Sequence, residues 1–93
     1  MSIKYGEITG RISGALFLTS YMEKEEKENF GIKDFFKKIK EIYKAVCEEK
    51  KLPFDKKSLY GLQPEIELTS EKVVNLFSQF DNWLETKGIY SEY

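Results

Sequence analysis

The chain has 93 residues, of which 41% are hydrophobic and 15% aromatic, and a formal net charge of −1. Its length favours a single domain, and its charge gives no bulk attraction to nucleic acid or to a membrane surface. It contains no histidine and one cysteine, which excludes a Cys–His or Ser–His catalytic pair and a thiolate zinc site within one chain.

The first predicted element is a helix from about residue 3 to residue 27, because its apolar residues recur every three or four positions. A β-hairpin with strands at residues 3–8 and 11–18, turning at Thr9 and Gly10, is the alternative. The apolar stripe of this helix consists of Tyr5, Ile8, Ile12, Ala15, Leu16, Thr19 and Met22.

On the other side of this helix lies a surface that we call the glycine face: Gly6, Gly10, Gly14, Phe17 and Tyr21. Each glycine in a helix interior lowers helix stability by roughly 0.5–1 kcal/mol relative to alanine. Glycines at every fourth position therefore indicate that another segment packs very closely, either within this chain or from a second chain.

The second predicted helix runs from Ile32 to Lys50, after a charged connector or helix end at residues 23–28, and Pro53 prevents its continuation. A row of lysines lies along one side of it; we call Lys33, Lys37, Lys40 and Lys44 the lysine row. Its predicted apolar stripe comprises Ile32, Phe35, Phe36, Ile39, Ile42, Tyr43, Val46 and Cys47.

The remaining residues predict two more helices. Asp55 is a good N-cap for a short helix that reaches Tyr60, with Gly61 after it. Residues 65–68 alternate polar and apolar side chains, as an extended strap or a lone strand does. A third long helix begins at Thr69 or Ser70 and ends near residue 87, and residues 89–93 form a short aromatic tail. Its predicted stripe is Val73, Val74, Leu76, Phe77, Phe80, Trp83 and Leu84.

Striped helices of this kind need one another to bury their apolar sides. We therefore predict an all-α fold, a compact three- to four-helix bundle in which residues 1–93 form one helical domain. The alternative is an α+β fold with an N-terminal β-hairpin packed on two helices.

No pattern of side chains points to a reaction. Asp34, Glu41 and Glu48 each lie three or four residues from a lysine, so exposed ion pairs account for them better than catalysis does. Cys47 is expected to be a small buried apolar residue. We therefore predict a protein that is not an enzyme and has no catalytic residues, metal or cofactor.

The glycine face is the predicted partner-binding site, for another protein or for a second copy of this chain. The predicted function is occlusion of a partner, as inhibitors, immunity proteins and antitoxins perform it, or self-association. The alternative is a nucleic-acid-associated regulator that uses the lysine row, which could also contact an acidic protein. One cysteine and no apolar run near the roughly 20 residues of a membrane span favour a cytoplasmic location without a membrane partner.

Overall fold

Five helices and one short antiparallel strand pair form a bundle in the computed structural model of the protein, which describes residues 2–89. The protein is thus mainly helical, as its periodicity predicts. The elements in chain order are β1 (Ile3–Lys4), α1 (Tyr5–Thr19), α2 (Lys24–Phe30), α3 (Ile32–Lys50), α4 (Lys56–Tyr60), β2 (Glu67–Leu68) and α5 (Glu71–Thr86).

The strand β1 pairs with β2, which lies far from it in the sequence. Ile3 pairs with Leu68, and Lys4 pairs with Glu67. Residues 5–12, which the hairpin alternative would divide between strands and a turn, are helical instead. Of the extended strap and the lone strand that the pattern at residues 65–68 allows, the structure has a two-residue strand at Glu67–Leu68, and it is paired rather than alone. This pairing ties the start of α1 to the segment before α5.

The first turn of α1 is capped by backbone carbonyls rather than by a side chain. The N–H groups of Tyr5 and Gly6 donate to the carbonyls of Ile66 and Pro64, each at 2.9 Å. We call residues 64–66 the strap. These bonds satisfy two of the four N–H groups that every helix start leaves without an intrahelical partner.

The helix α1 ends at Thr19, well before the predicted end near residue 27. The hydroxyls of Thr19 and Ser20 donate to the carbonyls of Leu16 and Phe17, at 3.0 and 2.6 Å. Such local side-chain bonds to the backbone compete with continued helix formation. The spacing of apolar residues does not reveal this break, because Met22 keeps the three- and four-residue spacing of the apolar stripe.

The charged run after this break is a separate helix, α2, rather than the end of the first one. Its start is supported by the N–H of Glu23, which donates to the Glu26 side chain at 3.2 Å. Its end is Gly31, whose φ of 87° lies in the left-handed region that glycine adopts without a steric penalty. This single residue redirects the chain from α2 straight into α3.

The bounds of α3 and the existence of α4 confirm the predictions. The helix α3 covers Ile32–Lys50. The N–H of Ser58 donates to the Asp55 carboxylate at 2.7 Å, so Asp55 caps the short helix α4 as its position in the sequence predicts.

The start of α5 also follows the prediction, since the Ser70 hydroxyl accepts from the N–H of Val73 at 3.5 Å. Past its end, Gly88 has a φ of 77°. Of the predicted aromatic tail, Ile89 is described and buried, and residues 90–93 lie outside the described part of the chain.

The core lies where α1, α3 and α5 meet, and α3 and α5 make its largest helix contact. Phe35 is fully buried at its aromatic centre, stacked 5.8 Å from Phe80 and 6.3 Å from Trp83 between ring centroids. Phe30 of α2 packs edge-on against Phe35 at 5.6 Å. The other buried apolar residues include Ile8, Ile12, Ala15, Ile42, Val46, Leu68, Val73 and Leu84.

One charged residue is buried with these apolar side chains. Arg11 of α1 is 9% exposed, and its Nε donates to the carboxylate of Asp81 on α5. A buried guanidinium needs such partners because the loss of its hydration is unfavourable. The pair therefore fixes how α1 lies against α5.

A second polar link joins α3 to the start of α5. The carboxylate of Glu49 accepts from the N–H groups of Thr69 and Ser70, at 2.9 and 2.8 Å. Burial alone would raise the pKa of Glu49, but these two hydrogen bonds and the neighbouring Lys50 charge lower it below its usual value of 4.5. The ionised carboxylate is thus the form that the fold stabilises.

We expect Glu49→Gln to remove a pH-dependent part of the stability. Because the pKa of Glu49 is lower in the folded than in the unfolded chain, its contribution is present above pH 4.5 and is lost as the pH falls through the folded value. At pH 7 the variant should lose about 1–2 kcal/mol of unfolding free energy. Urea unfolding at pH 7 and at pH 3 measures this, and the difference in unfolding free energy between the wild type and the variant should be smaller at pH 3.

Glu48→Gln is the matched control for this experiment. Glu48 is the neighbouring carboxylate and forms an exposed ion pair with Lys72 at 3.1 Å. Exposed pairs of this kind contribute about 0.2–1 kcal/mol at most. An equal loss in the two variants at pH 7 would contradict the role assigned to Glu49.

Within residues 2–89, no helix is long and apolar enough to cross a lipid bilayer.

Candidate partner-binding groove

A groove of about 940 Å³ lies between α1 and α3 and is completed by α4 and its flanking residues. We call it the groove. Its α1 wall consists of Tyr5, Thr9, Ser13 and Leu16, which recur every three or four residues on one side of that helix. Its α3 wall consists of Phe36, Ile39, Lys40 and Tyr43, and the rest is lined by Phe54, Asp55, Lys56, Leu59, Tyr60 and Leu62.

The groove gathers most of the large apolar side chains that the fold leaves in water. In the described part of the chain, six such side chains are exposed, and four of them line the groove: Leu16, Phe36, Phe54 and Tyr60. Scattered apolar side chains are normal on a protein surface, but a contiguous group is typical of a binding site.

Two groove residues correct the predicted core. Leu16 and Phe36 belong to the predicted stripes of their helices, yet they are 38% and 53% exposed. Both lie at the edge of a stripe, on the sides of α1 and α3 that line the groove. Periodicity alone does not distinguish these two residues from the buried members of the same stripes. The rest of the groove lining comes from α1, from α3 and from residues 54–62, and the arrangement of residues 54–62 has no periodic pattern.

Tyr43 and Tyr5, two of the three tyrosines that line the groove, stay protonated near neutral pH. Burial, with a smaller effect of the neighbouring Tyr5, raises the pKa of Tyr43 to about 12. Burial also raises the pKa of Tyr5. Each phenol therefore supplies a hydroxyl that can donate a hydrogen bond at the groove wall, rather than a negative charge.

Residues of the predicted glycine face divide between two environments. Phe17 and Tyr21 are 61% and 72% exposed, and their rings contact each other edge-on with centroids 5.2 Å apart. Gly6 is packed internally: a Cβ atom placed on it would lie 3.1 Å from Cβ and 3.2 Å from the carbonyl oxygen of Pro64. At Gly6 the close approach that the glycine spacing predicts is thus made by this chain's own strap, while Gly10 and Gly14 are half-buried.

Gly6 also lines a smaller depression of about 680 Å³ on the other side of α1. The Arg11–Asp81 pair and the strap border it, together with Phe77.

The lysine row is exposed along its whole length. At about 100° per residue its four members lie within about 60° of one another on α3, on the groove side of the helix next to Phe36. Lys40 belongs both to the row and to the groove lining. The structure therefore joins one predicted surface, the lysine row, to a groove that the sequence did not predict.

The cysteine and the carboxylates of the described residues were the remaining candidates for nucleophilic or metal-binding chemistry. Cys47 is buried, as predicted, and burial with a smaller effect of Asp55 raises the pKa of its thiol. A thiol in that state is a poor nucleophile. Among residues 2–89, no three cysteine or carboxylate side chains gather as a metal site would require.

Comparison with known proteins gives no match to a family model, to a curated protein or to a solved structure.

Proposed function

We propose that the protein is a binding module that recruits another protein through the groove and acts by covering part of that protein's surface, as inhibitors, immunity proteins and antitoxins do. The single observation that carries the proposal is the concentration of Leu16, Phe36, Phe54 and Tyr60 around one groove. Burying such side chains on association is the main favourable contribution to protein–protein binding.

The chemistry of the side chains supports binding without reaction. The chain has no histidine, and its one thiol is buried with a raised pKa. Aromatic residues are the type that most often dominates binding energy at interfaces. We also propose a cytoplasmic location, in keeping with a lone reduced cysteine.

The experiment compares two surfaces that carry the same kinds of residue. Random peptides about 16 residues long, enough for four helical turns, are displayed and selected on the wild-type protein. Selected peptides are then measured on Phe36→Ser/Tyr60→Ser, which alters the groove, and on Phe17→Ser/Tyr21→Ser, which alters the glycine face. In each pair, one phenylalanine and one tyrosine of similar exposure are replaced: 53% and 82% in the groove, 61% and 72% on the glycine face.

We expect the groove variant to weaken binding by about tenfold or more, as removal of aromatic anchors does, and the glycine-face variant to bind like the wild type. Tyr60→Ser alone keeps the test valid if Phe36→Ser loosens the fold, because Tyr60 is the more exposed of the two. No enrichment, or loss of binding only in the glycine-face variant, would overturn the proposed use of the groove.

Sedimentation equilibrium of the wild-type protein tests whether a second copy of this chain, rather than another protein, occupies the groove. A dimer that dissociates on dilution and is absent in the groove variant would replace recruitment of another protein by self-association. A monomer at all concentrations supports the proposal as stated.

A further inference from the structure

We infer that the groove takes an acidic amphipathic helix of a partner protein, with its apolar residues inside the groove and its carboxylates against the lysine row. The inference rests on the proposed function and adds the chemistry of the partner. Two features of the groove support an acidic helical partner: the positive charge at its edge and the geometry of its walls.

The edge of the groove along α3 is positively charged. On a helical projection with Phe36 at zero, the lysine row lies at about 40° to 100°, and the acidic residues Asp34, Glu41 and Glu48 lie farther away, at about 120° to 160°. The lysines are thus the first charged residues that a chain emerging from the groove meets on this side.

Asp34, Glu41 and Glu48 offset part of this positive charge at a distance, but none of them directly contacts a lysine of the row. The predicted ion pairs between the acidic residues and lysines of α3 do not form: Glu48 pairs with Lys72 of α5 instead, at 3.1 Å. In the part of the chain that the structure describes, no carboxylate oxygen lies within 4.0 Å of an ammonium nitrogen of the lysine row.

The groove lining itself has the same sign. It contains Lys40 and Lys56, against one carboxylate, that of Asp55. The Asp55 carboxylate already accepts the N–H of Ser58 as the cap of α4. An incoming carboxylate therefore meets two ammonium groups at the groove, and charge complementarity of this kind selects partners and orients them.

The groove walls favour a helix over a peptide that binds as an added strand. Such a peptide gains its affinity by pairing with a free strand edge. Neither β1 nor β2 contributes to the groove, whose two main walls are helices with their own internal hydrogen bonds. A helical occupant satisfies its own backbone groups and needs only side-chain contacts from the walls.

The groove length matches about three helical turns. From Tyr5 to Leu16 the α1 wall rises about 16 Å, at 1.5 Å per residue. An occupant of that length offers apolar residues at positions i, i+3 or i+4, and i+7 to the groove. The acidic residues beside this stripe then lie at the level of the lysine row.

The test uses a fluorescein-labelled peptide of about 14 residues, with leucines at i, i+3, i+4 and i+7 and glutamates at the other positions of a helical design. A second labelled peptide, used for comparison, carries lysine in place of every glutamate. Fluorescence anisotropy gives the Kd of both peptides, at low and at high salt. At low salt we expect the glutamate peptide to bind about tenfold tighter than the lysine peptide, as the combined effect of several exposed ion pairs. Its binding should weaken as salt is added.

Lys37→Glu/Lys40→Glu should reverse the order of the two affinities, because it makes part of the lysine row negative. Both lysines are exposed, so their replacement leaves the core unchanged. Lys24→Glu/Lys87→Glu is the matched control: it changes the total charge equally with exposed lysines outside the groove lining, and it should keep the wild-type order. Phe36→Ser/Tyr60→Ser should weaken both peptides.

Equal binding of the two peptides, or an unchanged order in Lys37→Glu/Lys40→Glu, would overturn the inferred acidic partner. The proposed function would still stand if displayed peptides of other composition bound the groove. A fluorescein-labelled single-stranded DNA of about 15 nucleotides is the third probe. If it binds more tightly than the glutamate peptide, with a steep salt dependence that Lys37→Glu/Lys40→Glu removes, the lysine row serves nucleic acid and the inference is overturned.

Discussion

Replacement of Phe35 by alanine is expected to lower the free energy of unfolding by about 3–5 kcal/mol, the range for large-to-small changes of a buried phenylalanine. Phe35 is fully buried and its ring contacts those of Phe30, Phe80 and Trp83, so the change leaves a cavity that three helices line. A domain of this size has about 5–15 kcal/mol of stability in total, so the variant should lose a large share of it. Urea titration followed by circular dichroism measures the effect.

The neighbouring residue supplies the control. Phe36→Ala removes the same atoms from a side chain that is 53% exposed, so we expect a loss of about 1 kcal/mol or less. Phe35→Leu, which refills most of the cavity, gives a measurable intermediate if Phe35→Ala does not fold. Equal destabilisation by the two alanine variants would show that Phe35 is not the centre of the core.

The second large effect is expected from the pair that joins α1 to α5. Asp81→Asn should destabilise the protein by about 2 kcal/mol, less than the 3–5 kcal/mol typical of a fully buried pair because the Asp81 side chain is 34% exposed. The substitution removes the negative charge that faces the buried guanidinium of Arg11.

Arg11→Met should be less harmful than Asp81→Asn. The methionine retains much of the apolar stem of the arginine, and the Asp81 carboxylate that remains can be hydrated. A double-mutant cycle with urea unfolding separates the interaction between the two residues from their other contacts. A loss of less than about 0.5 kcal/mol in Asp81→Asn would contradict the structural role of the pair.

Elements with a strong local signal were predictable from the sequence. The helix α3 has the predicted bounds, because its periodic stripe is followed by Pro53, which cannot continue a helix. The caps Asp55 and Ser70 act within three residues of their own position. In each case the interactions that decide the structure lie within one or two helical turns.

Features that depend on distant residues were not predictable in this way. The partner of Gly6 is Pro64, and the partner of Arg11 is Asp81. Periodicity predicts that one side of a helix is covered, but it does not identify the segment that covers it.

The groove escaped the sequence analysis for a related reason. Leu16 and Phe36 are in phase with the buried residues of their helices, so their periodicity is the same whether a neighbouring helix covers them or not. The lysine row, in contrast, was predictable from spacing alone, because the side of a helix on which a residue lies depends only on its position within that helix.

The capping of α1 by the strap has a consequence for the order in which the fold can be completed. The helix α1 receives the acceptors for its Tyr5 and Gly6 amides from residues synthesised some sixty positions later. Until the nascent chain extends through Ile66, the beginning of α1 lacks these carbonyl acceptors and should fray. The Tyr5 end of the groove is therefore completed only after the strap has been synthesised.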